Sequence, residues 1–328
     1  MASFHYLETG STDPYYNLAF EEYVLSHMTE DSYLILWQND NTIVIGQNQN
    51  TPAEVNRSFV EEHGIRVVRR MTGGGAVYHD LGNLNYSFIG DNDGSFGKNF
   101  SAIVVRALRD LGLDAECSGR NDITVGDQKL SGTAQRLLHG RILHHGTLLF
   151  DSDLDTVAGA LRVDPDKFKS KHTKSVRSRV GNIRPLLKED MELSEFKEYL
   201  KAALTDNGYI PDALPVQALA EIRSLRDAKY ATEAWNWGSS LPSTFTSKRW
   251  FPGGCLEICA DIVGNHIHNL RFFGDYLSLC SQDELSTALE NCPYSCDAVN
   301  AILQRFDLTC LFGGITADNI LDTLFCRE

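Results

Sequence analysis

Apolar residues recur along the chain with two different periods, which predicts a fold in which helices and strands are intermingled. Asp13 and Pro14 begin the stretch PYYNLAFEEYVLSHM, where Leu18 and Leu25 lie one heptad apart on one face of a predicted helix. Two short apolar runs, YLILW at 33–37 and TIVIG at 42–46, predict strands. The turn-like residues QNDN between the runs predict that these two strands form a hairpin.

The rest of the chain continues this mixture and then changes character. Further patterns predict strands over 65–69, 76–79, 85–89, 122–125, 128–134 and 142–150 and helices over about 52–63, 99–112, 153–161 and 194–207. Because no strict strand–helix–strand repeat is present, the pattern favours an α/β fold with a mixed sheet (α+β) over a doubly wound one. The turn-forming stretch GSSLPSTFTSK then indicates a domain edge. We therefore predict two domains, residues 1–246 and a smaller α/β domain at 247–328.

Net charge excludes one class of function but is unevenly distributed. The 328 residues carry 44 acidic and 30 basic side chains, a formal charge of −14, which argues against a general nucleic-acid binder. Between residues 162 and 188, however, nine bases and two acids give +7, which leaves −21 for the rest of the chain. This basic segment is either a solvated loop or a site for a small anion.

The chain ends and the cysteines indicate where the protein is found. No basic stretch followed by an apolar run opens the sequence, and no apolar run approaches 18 residues, so we expect neither a signal peptide nor a membrane span. The eight cysteines, seven of them between Cys255 and Cys326, are too sparse for a disulfide scaffold. We therefore expect a cytoplasmic protein with reduced thiols.

A triple glycine after a predicted strand is the first candidate for chemistry. In RRMTGGGA the glycines allow the backbone to approach a ligand and to aim several N–H groups at an anion. Arg69 and Arg70 can supply charge-assisted contacts to phosphate. The alternative is a surface turn with solvated arginines. The spacing matches neither a dinucleotide fingerprint nor a Walker A sequence.

Two further blocks carry polar residues on predicted strands. In KLSGTAQR, Lys129 follows a tight turn, and a fixed ammonium there could stabilise negative charge on a carboxylate or phosphoryl oxygen; an edge lysine in solvent is the alternative. His144 and His145 are adjacent on a strand, so their side chains point to opposite faces and cannot readily ligate one metal ion. We expect one of the two rings to face the core or a ligand and the other to face solvent.

Five blocks taken together carry a family resemblance. RRMTGGGAVYHDLGNLNYSF (69–88), GRND (119–122), KLSGTAQR (129–136), HHGT (144–147) and KSVRSRVGNI (174–183) resemble, in order and spacing, the lipoate-protein ligase A family. The resemblance covers nearly the whole chain. It implies a catalytic domain like that of biotin and lipoate ligases, related to class II aminoacyl-tRNA synthetases, and a C-terminal accessory domain.

The resemblance also implies a reaction and its partners. Lipoate and ATP, with Mg²⁺, would give lipoyl-AMP and pyrophosphate, and the lipoyl group would then pass to a lysine of a lipoyl-carrier domain. The expected carriers are E2 subunits of 2-oxoacid dehydrogenases and the glycine cleavage H protein. No nucleic acid and no membrane are implied, and the protein is expected to act as a monomer.

By the same resemblance, functions fall on particular residues. Lys129 is the expected catalytic residue, since it would contact both the α-phosphate and the lipoyl carbonyl oxygen. It would also border lipoate together with Val77 and His145, and Asp122 is the expected Mg²⁺ contact. The residues expected to bind ATP or the adenylate are Arg70, Gly73, Gly74, Gly75, Ala76, Val77, Tyr78, Asn121, Asp122, Lys174, Arg177 and Arg179. Gln47 stands where the family usually carries Arg or Lys, and no role is assigned to it.

Two other functions compete with this interpretation. A lipoyl or octanoyl amidotransferase would move the acyl group between carriers through a cysteine thioester and without ATP, and Cys117 is the only cysteine before Cys255. A zinc-dependent interaction module would instead use the x3-spaced cysteine pairs with two nearby histidines, although CLEIC alternates like a packed strand. The residues of that zinc module would be Cys255, Cys259, Cys292, Cys296, His266 and His268.

Overall fold

A computed structural model describes residues 4–92, 96–154, 157–161, 180–206, 208–238 and 243–326, with the backbone alone at 96–99 and 157–158. In chain order the strands are β1 (Phe4–Glu8), β2 (Ser32–Trp37), β3 (Thr42–Ile45), β4 (Arg66–Arg69), β5 (Val77–His79), β6 (Asn83–Asp91), β7 (Ala115–Ser118), β8 (Asp122–Val125), β9 (Gln128–Leu138), β10 (Arg141–Leu149), β11 (Tyr209–Pro211), β12 (Phe245–Phe251), β13 (Gly254–Val263) and β14 (His266–Gly274). The helices are α1 (Pro14–His27), α2 (Thr51–Glu54), α3 (Arg57–Glu62), α4 (Phe96–Asp110), α5 (Val157–Ala160), α6 (Leu193–Leu204), α7 (Val216–Leu225), α8 (Glu233–Trp237), α9 (Asp283–Leu289), α10 (Cys296–Leu303), α11 (Leu308–Phe312) and α12 (Ala317–Leu324).

An eight-stranded mixed sheet organises the larger part of the molecule. Its order is β11-β1-β2-β6-β10-β9-β8-β7, with parallel pairs at β11-β1-β2 and antiparallel pairs from β2 to β7. Strand residues alternate between its two faces. On β2, Leu34 and Leu36 pack with α4 and α6, whereas Tyr33, Ile35 and Trp37 pack with α1 and α7. Both faces are therefore covered, and the expected mixed-sheet α/β fold is confirmed.

The predicted hairpin between the strands at 33–37 and 42–46 is wrong. β2 lies in the large sheet, but β3 pairs with β4 and β5 in a separate three-stranded sheet. The residues that connect the two strands form hydrogen bonds to the region where α1 begins. Asn17 Nδ2 donates to the Gln38 carbonyl at 2.8 Å, and the Asp40 N–H donates to the Thr12 carbonyl. Anchored to the start of α1, the link directs the two strands apart.

The predicted helix at 52–63 is interrupted. Val55 adopts an extended conformation between α2 and α3, and its backbone forms a bridge to Leu161. Asn56 then caps α3 by accepting a hydrogen bond from the Phe59 N–H. The apolar pattern that predicts one helix therefore corresponds to two short helices, α2 and α3. The predicted helix at 153–161 is described only over α5, since residues 155–156 lie outside the described part of the chain.

A second, smaller unit has its own core. The sheet β12-β13-β14 packs against α9, α10 and α12, and its buried residues run from Leu256 to Leu324. The segment after β14 reaches the larger unit, where the Gly74 N–H donates to the Tyr276 carbonyl and the Leu137 N–H to the Leu279 carbonyl. This segment thereby places the smaller unit directly against the triple glycine.

The expectation of reduced thiols is not met at one pair of cysteines. Cys280 and Cys310 form a disulfide, with Cα atoms 5.7 Å apart. The pairing follows from the backbone, because the N–H groups of Leu279 and Cys280 both donate to the Cys310 carbonyl. In the described part of the chain, no helix is long and apolar enough to cross a membrane.

Candidate active site

The glycine turn is held in shape by Arg70 at the end of β4. Its Nη2 donates to the carbonyls of Gly73 and Gly75 at 2.7 and 2.9 Å, and its Nε donates to Thr72 Oγ1 at 3.0 Å. Gly74 has a φ of +91°, which a residue with a side chain rarely adopts. Burial lowers the pKa of the Arg70 guanidinium to about 10. Arg70 therefore holds the turn through hydrogen bonds and also borders a cavity beside the turn, which is described below.

Arg69 does not face this cavity, contrary to the expectation that both arginines are available to phosphate. Its Nη1 donates to three backbone carbonyls, including those of Gln47 and Gln49 at 2.8 Å each, and its Nη2 donates to Thr51 Oγ1 at 2.7 Å. Its Nε donates to the Trp235 carbonyl. The guanidinium thus joins β4 to neighbouring loops and has a structural role.

Lys129 lies on β9 next to a carboxylate. The β8–β9 register shifts between Ile123 and Thr124, so the strand is irregular beside the lysine. Its Nζ lies 2.7 Å from Asp122 Oδ1, and both side chains are about one-third exposed. A methyl group built on Gly132 would lie 3.0 Å from this Nζ, so the missing side chain at Gly132 leaves the space that the ammonium occupies. Lys129 thus lies on a strand, as predicted.

The two histidines on β10 point to opposite faces, as predicted, but both are buried. His144 Nδ1 accepts a hydrogen bond from Gln135 Nε2, and its ring lies near Tyr86 and Phe100. Burial lowers the pKa of His144 to about 3. The expectation that one ring faces solvent is therefore wrong, because α4 covers this face of the sheet. His145 lies on the other face, at the cavity.

A buried carboxylate that the sequence analysis missed lies behind His145. Glu21, on α1, is 1% exposed, and its Oε1 lies 2.9 Å from His145 Nδ1 and 2.6 Å from Ser87 Oγ. His145 Nε2 is 2.8 Å from Thr72 Oγ1. The signal that could have revealed Glu21 is its position on the apolar face of α1, one turn after Leu18.

Most of the predicted site residues meet in one cavity of about 130 Å³ between α1, β10 and the glycine turn. It is lined by Leu18, Trp37, Val44, Arg70, Gly74, Gly75, Ala76, Val77, His79, Asn85, Asn121, Lys129, Gly132, Thr133, Ala134, His145, Gly146 and Thr147. The lining combines apolar side chains, such as Leu18, Trp37 and Val77, with the polar side chains of Lys129 and Asn121. A wider cleft of about 870 Å³ near Tyr16 and Arg223 contains none of the predicted residues.

Several predicted residues lie outside this lining. Gly73 faces the smaller unit, where a Cβ would meet the Tyr276 carbonyl oxygen at 2.7 Å. The Tyr78 side chain packs in the core around β3, and its hydroxyl donates to Asn41 Oδ1. Asp122 reaches the cavity only through its ion pair with Lys129. Gln47 accepts a hydrogen bond from Arg136 Nη1.

The predicted adenylate contacts Lys174, Arg177 and Arg179 fall outside the described residues. The chain is described again from Val180, which forms a parallel bridge with Lys129, and the Gly181 N–H donates to the Lys129 carbonyl at 3.0 Å. Residues 180 and 181 of the basic segment therefore lie on the backbone of Lys129.

His79 adds a neutral ring to the cavity wall. Its Nδ1 lies 3.1 Å from Asn39 Nδ2, which can only donate, so this ring nitrogen is the acceptor. Burial, followed by the nearby charge of Arg70, lowers the pKa of His79 to about 3. The ring is therefore uncharged at neutral pH.

The cysteines do not form a metal centre. Among the described residues, no group of three or more His, Cys, Asp or Glu side chains could hold a metal ion. Cys255 and Cys259 are buried on β13, and burial raises the pKa of the Cys255 thiol to about 12. His268 Nδ1 is instead 2.8 Å from Glu290.

Comparison with known proteins gives the class of the chain. Residues 13–205 match the family model of the lipoyl protein ligase A/B catalytic domain, and residues 240–324 match that of the bacterial lipoate protein ligase C-terminus. The chain is 41% identical to lipoate–protein ligase 1 of Staphylococcus aureus, over 94% of this chain and 96% of that protein. It is 40% identical to lipoate-protein ligase LplJ of Bacillus subtilis, over 95% of this chain and 97% of that protein. The chain belongs to the lipoate–protein ligase family.

Solved structures agree with this assignment. P. falciparum LipL1 in complex with lipoate has the same fold, with a TM-score of 0.79 over 97% of both chains at 23% identity. A bipartite lipoate protein ligase of Thermoplasma acidophilum, studied with its E2 lipoyl domain, matches 75% of this chain and 100% of its own at a TM-score of 0.66 and 31% identity. A lipoate-protein ligase A bound with ATP matches 72% of this chain and 98% of its own, with a TM-score of 0.63 and 31% identity.

Proposed function

We propose that this protein activates lipoate with ATP to lipoyl-AMP and then transfers the lipoyl group to a lysine of a lipoyl-carrier domain. The observation that carries the proposal is Lys129, whose ammonium is held 2.7 Å from Asp122 and lines the same cavity as the glycine turn and the apolar side chains of Leu18, Trp37 and Val77. One site thus offers an apolar wall to an acyl chain and a cation to the atoms that react.

The chemistry explains why both features are needed together. A carboxylate is a poor electrophile, whereas a mixed anhydride with AMP has a good leaving group. Attack of the lipoate carboxylate on the α-phosphorus forms one P–O bond and breaks another, which releases pyrophosphate. The lysine amine of the carrier then attacks the carbonyl carbon, loses a proton and displaces AMP. Positioning and charge stabilisation are the enzyme's contributions.

We assign the contacts as follows. Lys129 contacts the α-phosphate and the lipoyl carbonyl oxygen, and Val77 and His145 border the lipoyl chain. Arg70, Asn121, Asp122 and the backbone of residues 73–78 hold the nucleotide. Lys174, Arg177 and Arg179 close over the adenylate, so adding lipoate and ATP should protect the basic stretch from proteolysis.

Asp122 is the carboxylate we assign to Mg²⁺. It is partly exposed beside Lys129 and lines the neighbouring cleft, and magnesium is commonly held by one or two carboxylates together with substrate phosphates and water. The ion would neutralise charge on the phosphates.

The remaining assignments concern the whole molecule. A domain boundary near residue 246 is supported by the separate core of the smaller unit, to which Phe245 of β12 already contributes. E2 subunits and the glycine cleavage H protein are the proposed carriers, and we propose a cytoplasmic monomer. An amidotransferase is disfavoured because Cys117 is on β7 and lines a neighbouring cleft instead of this cavity.

The test is lipoate-dependent pyrophosphate exchange into ATP by the wild type and by Lys129→Ala. We expect at least a hundredfold loss in the variant, since removing one preorganised charge typically costs 10²–10³. Lys197→Ala is the matched control, because Lys197 is also ion-paired, with Glu8 at 3.1 Å, but lies away from the cavity. An active Lys129→Ala enzyme would contradict the assignment.

A further inference from the structure

Glu21 lies behind the cavity wall without touching the cavity. It is 99% buried and accepts hydrogen bonds from two sides, from Ser87 at 2.6 Å and from His145 at 2.9 Å. Burying a carboxylate is costly unless its oxygens are satisfied by donors. A space-filling position on α1 would not require a carboxylate, so the hydrogen-bond partners of Glu21 account for its presence there.

The donors and acceptors on one side can be assigned in a single direction. Arg70 Nε can only donate, and it does so to Thr72 Oγ1 at 3.0 Å. The Thr72 hydroxyl can then donate to His145 Nε2 at 2.8 Å, which leaves the ring proton on Nδ1, facing Glu21. This branch therefore runs from the glycine turn through the His145 ring to the carboxylate.

The second branch reaches Trp37 in the cavity lining. Trp37 Nε1 can only donate, and Ser87 Oγ accepts this bond at 2.8 Å. The Ser87 hydroxyl then donates to Glu21 Oε1. Since Trp37 forms part of the apolar lining, its indole is oriented through this serine. Both branches end at the same carboxylate.

We infer that Glu21 is a positioning residue that holds the apolar wall and the glycine turn of the site in a fixed mutual arrangement. It does so by keeping His145 in the Nδ1–H form and by orienting Trp37 through Ser87. The inference rests on the proposed function, because the two ends that it aligns are those assigned to the acyl chain and to the phosphates.

Two substitutions separate this role from mere packing. Glu21→Gln keeps an oxygen that can accept both hydrogen bonds, as Oε1 does now, whereas Glu21→Met keeps the volume but accepts neither. Leaving both donors unsatisfied should raise the KM for lipoate about ten- to a hundredfold in Glu21→Met. Glu21→Gln should stay within about threefold of the wild type. Glu22→Gln is the matched control, since the next carboxylate on α1 bonds instead to Lys229 and Tyr230.

The ring nitrogens of His145 give a readout that packing would not change. ¹⁵N NMR should show a protonated Nδ1 and an acceptor Nε2 in the wild type and in Glu21→Gln, and a tautomer mixture in Glu21→Met. If Glu21→Met does not fold, Ser87→Ala still tests one branch: it should raise the KM for lipoate and leave the KM for ATP unchanged.

The outcomes are distinguishable. Wild-type kinetics in Glu21→Met, or an Nε2–H tautomer in the wild type, would overturn the positioning role. Failure of the wild type to catalyse lipoate-dependent exchange would instead contradict the proposed function, and the tautomer measurement would still test the hydrogen-bond branches.

Discussion

Substituting Gly132 by alanine tests the placement of Lys129 without altering the lysine itself. The new methyl group would lie 3.0 Å from Lys129 Nζ and 3.2 Å from Cε, against an ordinary contact of 3.4 Å or more. The ammonium must therefore move by a few tenths of an ångström, which alters its 2.7 Å contact with Asp122. Because the side chain ends in a flexible ammonium, the backbone of β9 need not change.

The expected effect is larger on catalysis than on stability. A partly exposed ion pair contributes about 1 kcal/mol or less, so the melting temperature should fall by only a few degrees. A displaced reacting group can cost up to about a hundredfold, and we expect kcat for pyrophosphate exchange to fall about ten- to a hundredfold. Gly208→Ala is the control, because its methyl group would contact the Thr205 carbonyl oxygen at an ordinary 3.4 Å.

A double variant shows whether the effect passes through the lysine. In the Lys129→Ala background, Gly132→Ala should cause no further loss, since there is no ammonium left to displace. Unchanged kcat in the single variant, or additive losses in the double variant, would refute the argument that Gly132 provides space for Lys129.

The remaining predictions concern stability and thiols. Burial holds the pKa of His79 and of His144 near 3, below the ordinary value of 6.5. The unfolded chain therefore gains protons first, and the free energy of unfolding should fall as pH drops below about 6.5, by up to about 1.4 kcal/mol per pH unit for each ring. His144→Gln should reduce this slope in denaturant titrations. Peptide mapping without reductant should recover Cys280 joined to Cys310. Reduction of this disulfide, which joins residues 30 positions apart, should lower the free energy of unfolding by about 3–4 kcal/mol. An unchanged melting temperature after reduction would contradict this prediction. Metal analysis should find no stoichiometric zinc, because the described residues bring no three His, Cys, Asp or Glu side chains together to hold a metal ion; one zinc per chain would contradict this.

Local sequence patterns are sufficient to predict those turns and strands that depend only on a few neighbouring residues. The turn at 126–127 and Lys129 on the following strand were predicted because turn residues and alternation act over a few positions. Sheet membership was not predictable in this way. β2 and β3 are separated by four residues yet join different sheets, and the anchor that separates them, Asn17, lies on α1.

The same limit applies within the site. Arg69 and Arg70 are equivalent in sequence, but they point in opposite directions from the end of β4, so only Arg70 borders the cavity. Glu21 was missed because its partners, Ser87 and His145, are 66 and 124 residues away in sequence. Contacts of that range depend on the register of β6 and β10, which pairs Ser87 directly with His145.

The first two glycines of the turn each have their own structural reason. Gly73 lies against the Tyr276 carbonyl of the smaller unit, and Gly74 turns the chain with a positive φ. At Gly75 a Cβ would meet no neighbouring atom within 4 Å, so this residue leaves the cavity side open. Arg70 joins the first and third glycines through their carbonyls. A displacement of the segment after β14 would therefore act on the same turn that borders the cavity, which links the smaller unit to the proposed phosphate site through one hydrogen-bonded loop.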